Sequence, residues 1–304
     1  MDGLLVVDKP VGPTSHDVVS RMRRALRERR IGHTGTLDPL ASGVLPLVIG
    51  RATRLARFLS ASDKTYDAEI RLGVATDTAD AEGAPLAAPY AGALPTRDAI
   101  DRALDAFRGR FLQQPPAFSA KKIGGIRSHE AARATRRTAS SSAAAAPPAL
   151  PVRPAPVAVT VSRLDLRSVD ADHVVLTLTC SAGFYVRGLA HELGVHLGTG
   201  AHLTALRRTR VGDLTLDQAL PLDAAERDPE AAAARVVPMS LMLAELPALT
   251  LDADAVRRAV QGRDVESTVP NPDARPVRLV DERGDLVAIA EPAGGLLHPS
   301  VVLR

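Results

Sequence analysis

The segment Gly32-His33-Thr34-Gly35-Thr36-Leu37-Asp38-Pro39-Leu40-Ala41-Ser42-Gly43 sets a carboxylate beside an imidazole and three hydroxyl side chains. Its glycines let a ligand come close to the backbone. An isolated Asp-Pro reads as a local Asx turn, which aspartate favours without any chemical role. Here, however, the acid follows the most basic stretch of the chain, which carries Arg21, Arg23, Arg24, Arg27, Arg29 and Arg30. A carboxylate beside a polyanion-binding surface repels the phosphates that the arginines attract. That conflict marks Asp38 as a candidate nucleophile or base.

Other common catalytic signatures do not occur in the sequence. It has no G-x-x-x-x-G-K-[ST] phosphate loop, no G-x-S-x-G elbow and no H-E-x-x-H helix. His191 and His196 are five apart, on different faces of a helix, so no metal site is expected. The single cysteine, Cys180, excludes an intrachain disulfide framework and a Cys-rich cluster, and suits a reducing compartment.

The elements that must position these groups are legible in outline. Leu4–Val7 is β-prone and leads into the turn signals Asp8-Lys9-Pro10 and Gly12-Pro13. Thr14 and Asp17 form a capping-box pattern, and Val18, Val19, Met22 and Leu26 recur at helical spacing, predicting a helix to about Arg30. Residues 31–50 read as a shaped loop running into a strand over Val44–Ile49. A strand over Thr65–Leu72, a helix over Arg97–Phe107, and strands over Val159–Leu166 and His173–Cys180 follow. Leu189, Leu193 and Leu197 then predict a further helix. Residues 135–158, rich in Ala, Pro and Ser, are expected to form a flexible surface insertion. Beyond about Leu246 the chain breaks into short strands, notably Val277–Val280 and Leu286–Ile289, which predicts a small β-rich domain.

With 304 residues, 45% hydrophobic and 24% charged, the chain is long enough for one large domain and a small one. It shows no apolar run of membrane-spanning length and no basic leader, so an unanchored cytoplasmic protein is expected. The net charge of +3 is unevenly spread. Residues 1–60 hold ten basic and five acidic side chains, a balance of +5, and the remaining 28 and 30 give −2. Arginine outnumbers lysine 34 to 4, a bias that phosphate recognition or a GC-rich genome would each produce.

In order along the chain, GLLVVDKPVGPTSHDVV, GHTGTLDPLASGVLPLVIGRATR, KTYDAEIRLG and SAGFYVRGLAHELG resemble the successive motifs of the TruB family of tRNA pseudouridine synthases, from about Gly3 to Leu220. The resemblance implies a pseudouridine-synthase α/β (α+β) fold: a central, mixed but largely antiparallel sheet flanked by helices. It implies a catalytic domain over 1–245 and, mainly by position, a PUA-like RNA-binding domain over 246–304. The implied activity is isomerisation of uridine 55 in the tRNA T loop, by base flipping, with no cofactor and no guide RNA, in a monomer.

Carried over residue by residue, Asp38 matches the catalytic aspartate, Tyr66 the tyrosine that stacks on the uracil, and Arg187 the aspartate's arginine partner. Tyr185 lies beside Arg187, Leu206 matches an apolar pocket residue, and His33 a histidine that contacts RNA near the vacated base position. Arg23, Arg27, Arg30, Lys64, Lys122, Arg207 and Arg208 are candidate phosphate contacts, as are Arg51, Arg54, Arg57 and Arg210. Phe118 and His129 stand where the family has tyrosines. A noncatalytic tRNA-binding or folding module, and a related synthase acting on another RNA, are the alternatives.

Overall fold

The computed structural model describes residues 1–116, 122–123, 126–127, 155–267 and 275–304. Phe118, His129 and most of the 135–158 stretch lie outside the described residues. In chain order the elements begin with β1 (Gly3–Lys9), α1 (Ser15–Ala25), β2 (Ile31–His33), β3 (Ala41–Ile49), α2 (Ala56–Ser60) and β4 (Lys64–Leu72). Then come α3 (Arg97–Leu104), β5 (Gly109–Gln113), the short strands β6 (Lys122–Ile123) and β7 (Ile126–Arg127), β8 (Val157–Asp170), β9 (His173–Cys180), α4 (Val186–His196) and β10 (Ala201–Val211). The last part holds β11 (Leu214–Thr215), β12 (Leu220–Pro221), α5 (Leu222–Arg227), α6 (Pro229–Ala234), β13 (Val237–Pro238), β14 (Ala248–Leu251) and α7 (Ala253–Val260). It closes with β15 (Val265–Glu266), β16 (Val277–Asp281), β17 (Leu286–Ala293) and β18 (Leu296–Val302).

The chain forms two compact units: residues 1–39, 43–62 and 212–304 in one, and 40–42 and 63–211 in the other. In the first, β1 pairs antiparallel with β3 and parallel with β12, and β2 adds antiparallel to β3 with His33 opposite Leu47. A separate five-stranded sheet in the order β14-β16-β17-β18-β15 covers the C-terminal part. Leu4, Val48 and Leu55 share a buried cluster with Val280, Ile289 and Leu303, so this sheet packs into the same core as the N-terminal strands. In the second unit the order is β10-β4-β9-β8-β5, antiparallel throughout. Along β4, Lys64, Tyr66, Ala68, Ile70 and Leu72 are buried at every second position, the period of a strand with one face on the core.

The capping box at Thr14 and Asp17 is formed as predicted: the Asp17 amide donates to Thr14 Oγ1, and the Asp17 carboxylate accepts from the Thr14 amide. The helix, however, stops at Ala25 rather than near Arg30. Arg27 takes a left-handed conformation (φ 51°), which ends the helical ladder, and Ile31 turns into β2. Arg23 and Arg24, not Arg29 and Arg30, therefore occupy the last helical turn. The strand expected from Val159 begins at Val157, so the last two residues assigned to the insertion belong to β8. No helix among the described residues is long and apolar enough to cross a membrane.

Candidate active site

Asp38 sits in the loop between β2 and β3 and is half-buried. Its neighbours are held on both sides. Ser15, in the first turn of α1, donates its hydroxyl to the Leu37 carbonyl (3.0 Å) and accepts from the Leu37 amide (2.8 Å). The Gly12 amide donates to the Pro39 carbonyl (2.9 Å), from a backbone at φ 109° that suits glycine. Earlier in the loop, the Thr34 amide donates to the Pro46 carbonyl at 3.1 Å. His33, half-buried at the end of β2, meets His16 edge to face with ring centroids 5.6 Å apart.

In the second unit, Tyr66 lies on the buried face of β4, opposite Leu178 on one side and Arg208 on the other. Leu206, two residues before Arg208 on β10, shares that face, so Tyr66 and Leu206 are diagonal neighbours. Lys64 and Arg208, expected at phosphates, are instead buried on the same face, Arg208 at 1% exposure, because the inward period of β4 and β10 places them there. Burial, with Arg208 adding its like charge, pushes the Lys64 ammonium below the usual lysine range.

Tyr185 caps the N-terminus of α4 and Arg187 follows in its first turn. The Gln113 side-chain amide treats Tyr185 as a strand would: Nε2 donates to the Tyr185 carbonyl (2.9 Å) and Oε1 accepts from the Tyr185 amide (2.8 Å). Arg187 is 6% exposed; its Nη1 donates to the Thr78 carbonyl (3.1 Å) and lies 3.5 Å from Asp80 Oδ2. Asp80 is itself 3% exposed and accepts at Oδ1 from the Thr78 hydroxyl (2.5 Å) and the Glu82 amide (3.1 Å). A buried cation is thus met by a carboxylate whose other oxygen accepts two hydrogen bonds, which offsets part of the cost of burying its charge.

Ser15, Asp80, Thr78 and Gln113 were not singled out by the sequence. For Asp80 the only signal was the acidic turn Asp77-Thr78-Ala79-Asp80-Ala81-Glu82, which on its own reads as a solvated loop. Of the other candidate phosphate contacts, Arg23, Arg27 and Arg30 are exposed, with Arg23 Nη2 donating to the Ile31 carbonyl (2.7 Å). Arg207 is half-buried and donates to Ser42 Oγ at 3.3 Å. Lys122 belongs to β6, and its side chain lies outside the described residues.

The architecture is a mixed α/β fold with a large mixed sheet and a small C-terminal β domain, the class seen in solved H/ACA ribonucleoprotein structures. The archaeal box H/ACA sRNP Nop10-Cbf5 complex aligns with a TM-score of 0.69 at 24% identity, over 99% of this chain and 86% of that one. An H/ACA RNP bound to a substrate RNA containing 2'-deoxyuridine aligns with a TM-score of 0.69 at 23% identity, over 99% and 85%. Sequence comparison narrows the class. Residues 23–186 match the model of the TruB family pseudouridylate synthase N-terminal domain, and residues 187–243 the tRNA pseudouridylate synthase B C-terminal domain. The tRNA pseudouridine synthase B of Solibacter usitatus is 41% identical over 312 residues, covering 100% of both chains. That of Corynebacterium aurimucosum is 42% identical over 297 residues, covering 94% of each. The chain belongs to the TruB family of pseudouridylate synthases, and is an isomerase.

Proposed function

We propose that this chain converts uridine 55 in the T loop of tRNA to pseudouridine. The observation that carries this reading is the full-length likeness to tRNA pseudouridine synthase B, at 41% identity. The reaction breaks the bond from ribose C1′ to uracil N1, turns the ring and joins C1′ to C5, with no net gain or loss of atoms. A base inside a folded loop must be flipped out, at a cost of a few kcal/mol in lost stacking. Tyr66 offers a new stacking face, which typically returns about 1–3 kcal/mol, and Leu206 beside it extends the apolar wall. His33 contacts the RNA near the vacated position.

Asp38 is assigned as the essential carboxylate, acting as nucleophile or base, with Arg187 as the cation that favours its ionised form and Tyr185 beside it. The burial of Arg187 supports this, since a desolvated guanidinium attracts a carboxylate more strongly than a solvated one. We assign residues 1–245 to catalysis and 246–304, with its own sheet, to PUA-like RNA binding. The protein is proposed to act in the cytoplasm as a monomer, without guide RNA.

The test incubates purified protein with unmodified tRNA, without added metal or guide RNA, and maps pseudouridine at single-nucleotide resolution beside an Asp38→Ala control. Modification at the T-loop uridine that vanishes in the control is expected. Tight binding of tRNA by both proteins without modification would leave a binding module instead. Modification of another RNA alone would reassign the substrate.

A further inference from the structure

We infer that Ser15 is a positioning residue for Asp38. The inference rests on the proposed role of Asp38 and concerns how its loop is held for the reaction.

A serine in the first turn of an exposed helix ordinarily turns its hydroxyl to water or to a backbone group nearby. Ser15 does neither. It is 1% exposed, and its hydroxyl spends one donor and one acceptor on a single residue 22 positions away, Leu37. The helix has no need of it, because the cap is closed by Thr14 and Asp17. Leu37 immediately precedes Asp38, and the residue after Asp38 is held by Gly12 through the Pro39 carbonyl; proline has no amide hydrogen, so its carbonyl is the one polar main-chain group available there. Asp38 therefore stands between two anchored residues. Both anchors come from the same β1–α1 connection, Pro10–Thr14 with the first residue of α1.

A loop without periodic structure has no ladder to fix its dihedrals, and a misplacement of about 1 Å at a reacting group can cost about a hundredfold in rate. Removing the Ser15 hydroxyl leaves a buried amide and a buried carbonyl at Leu37 without this partner, so the loop gains freedom next to Asp38. Substrate contacts made elsewhere are untouched. The expected signature is a loss in kcat with KM preserved.

The experiment compares wild type, Ser15→Ala and Ser15→Cys. Alanine suits a helix start, so the first variant is expected to fold; cysteine keeps a weak donor and acceptor. Steady-state kinetics on unmodified tRNA should show kcat falling about 30-fold for Ser15→Ala and by less for Ser15→Cys, with KM within about twofold of wild type and the thermal midpoint little changed. Amide hydrogen exchange of the free protein should show the Leu37 amide exchanging at least about tenfold faster in Ser15→Ala, with the α1 interior unaffected. An unchanged kcat, a loss that falls on KM, a variant that fails to fold, or an unchanged Leu37 exchange rate would overturn the inference. The exchange measurement needs no substrate. If wild type leaves tRNA unmodified, the functional proposal fails, and the anchoring of the loop is still decided by exchange at Leu37.

Discussion

Arg187 and Asp80 are two buried side chains of opposite charge in the second unit. Their side chains are 8% and 5% exposed, and the separation of 3.5 Å makes theirs a loose ion pair supported by hydrogen bonds from Thr78 and Glu82 rather than a tight bidentate one. In such surroundings, removing one partner costs more than removing both, because the survivor keeps its charge with less compensation. Asp80→Leu alone should destabilise the fold by about 3 kcal/mol, whereas Asp80→Leu with Arg187→Met should recover much of that loss. Urea denaturation of the single and double variants measures the difference. Additive losses would show that the pair is not energetically coupled in the folded protein. Activity should be lost in the double variant even where stability returns, which separates the structural partner Asp80 from the proposed role of Arg187 towards Asp38.

Elements with a strong period were legible in the sequence, and elements ended by local backbone geometry were not. The strand His173–Cys180 has the bounds its alternation predicts, and the capping box at Thr14 is formed. The end of α1 was misplaced by five residues because helical spacing and charge do not report the left-handed turn at Arg27. The Asp38 loop was legible through its residue types alone. Its anchors were not, since Ser15 and Leu37 meet only after β1, α1, β2 and β3 are assembled; likewise Gln113, the one fully buried residue of β5, meets Tyr185 across 72 positions. Helix propensity also misleads at Gly194. Alanine is favoured over glycine inside a helix by about 1 kcal/mol. Here, though, an added Cβ would land on the backbone of Gly200 and Ala201, where α4 turns back into β10. Gly194→Ala should therefore destabilise the protein by about 1–3 kcal/mol, read as a lower thermal midpoint. A raised midpoint would mean that the turn into β10 yields without cost.

At the scale of the whole chain, the N-terminal excess of positive charge is divided between structure and surface. Arg21 is paired with Glu226, whose carboxyl is held below its ordinary range by that guanidinium. Arg51 binds Asp2 through its side chain (2.9 Å) and donates to the Leu303 carbonyl (3.0 Å). Arg54 donates to the Val302 carbonyl, and Arg57 reaches Glu291 (3.0 Å) and Ser300 (2.8 Å). These three arginines, which the sequence offered as phosphate contacts, lash the segment after β3 to the C-terminal strands β17 and β18. Arg24 and Arg29 are exposed as those three are, but they lie at the end of α1 and just after it, with Arg23, Arg27 and Arg30 around them. If tRNA phosphates are met by this second group, each neutralised contact should remove about 0.7–0.9 from the slope of log affinity against log salt. Arg24→Gln with Arg29→Gln should then weaken tRNA binding and flatten that slope by about 1.5, while the rate of pseudouridine formation on bound tRNA is kept. Arg51→Gln should leave the slope unchanged and lower the thermal midpoint instead, because its guanidinium is held by Asp2 and the Leu303 carbonyl. Binding isotherms at several salt concentrations, with single-turnover rates on saturated complexes, separate the two groups. A flattened slope in Arg51→Gln, or a loss of the chemical step in the Arg24 and Arg29 variant, would mean that the division between lashing and phosphate-facing arginines is drawn in the wrong place.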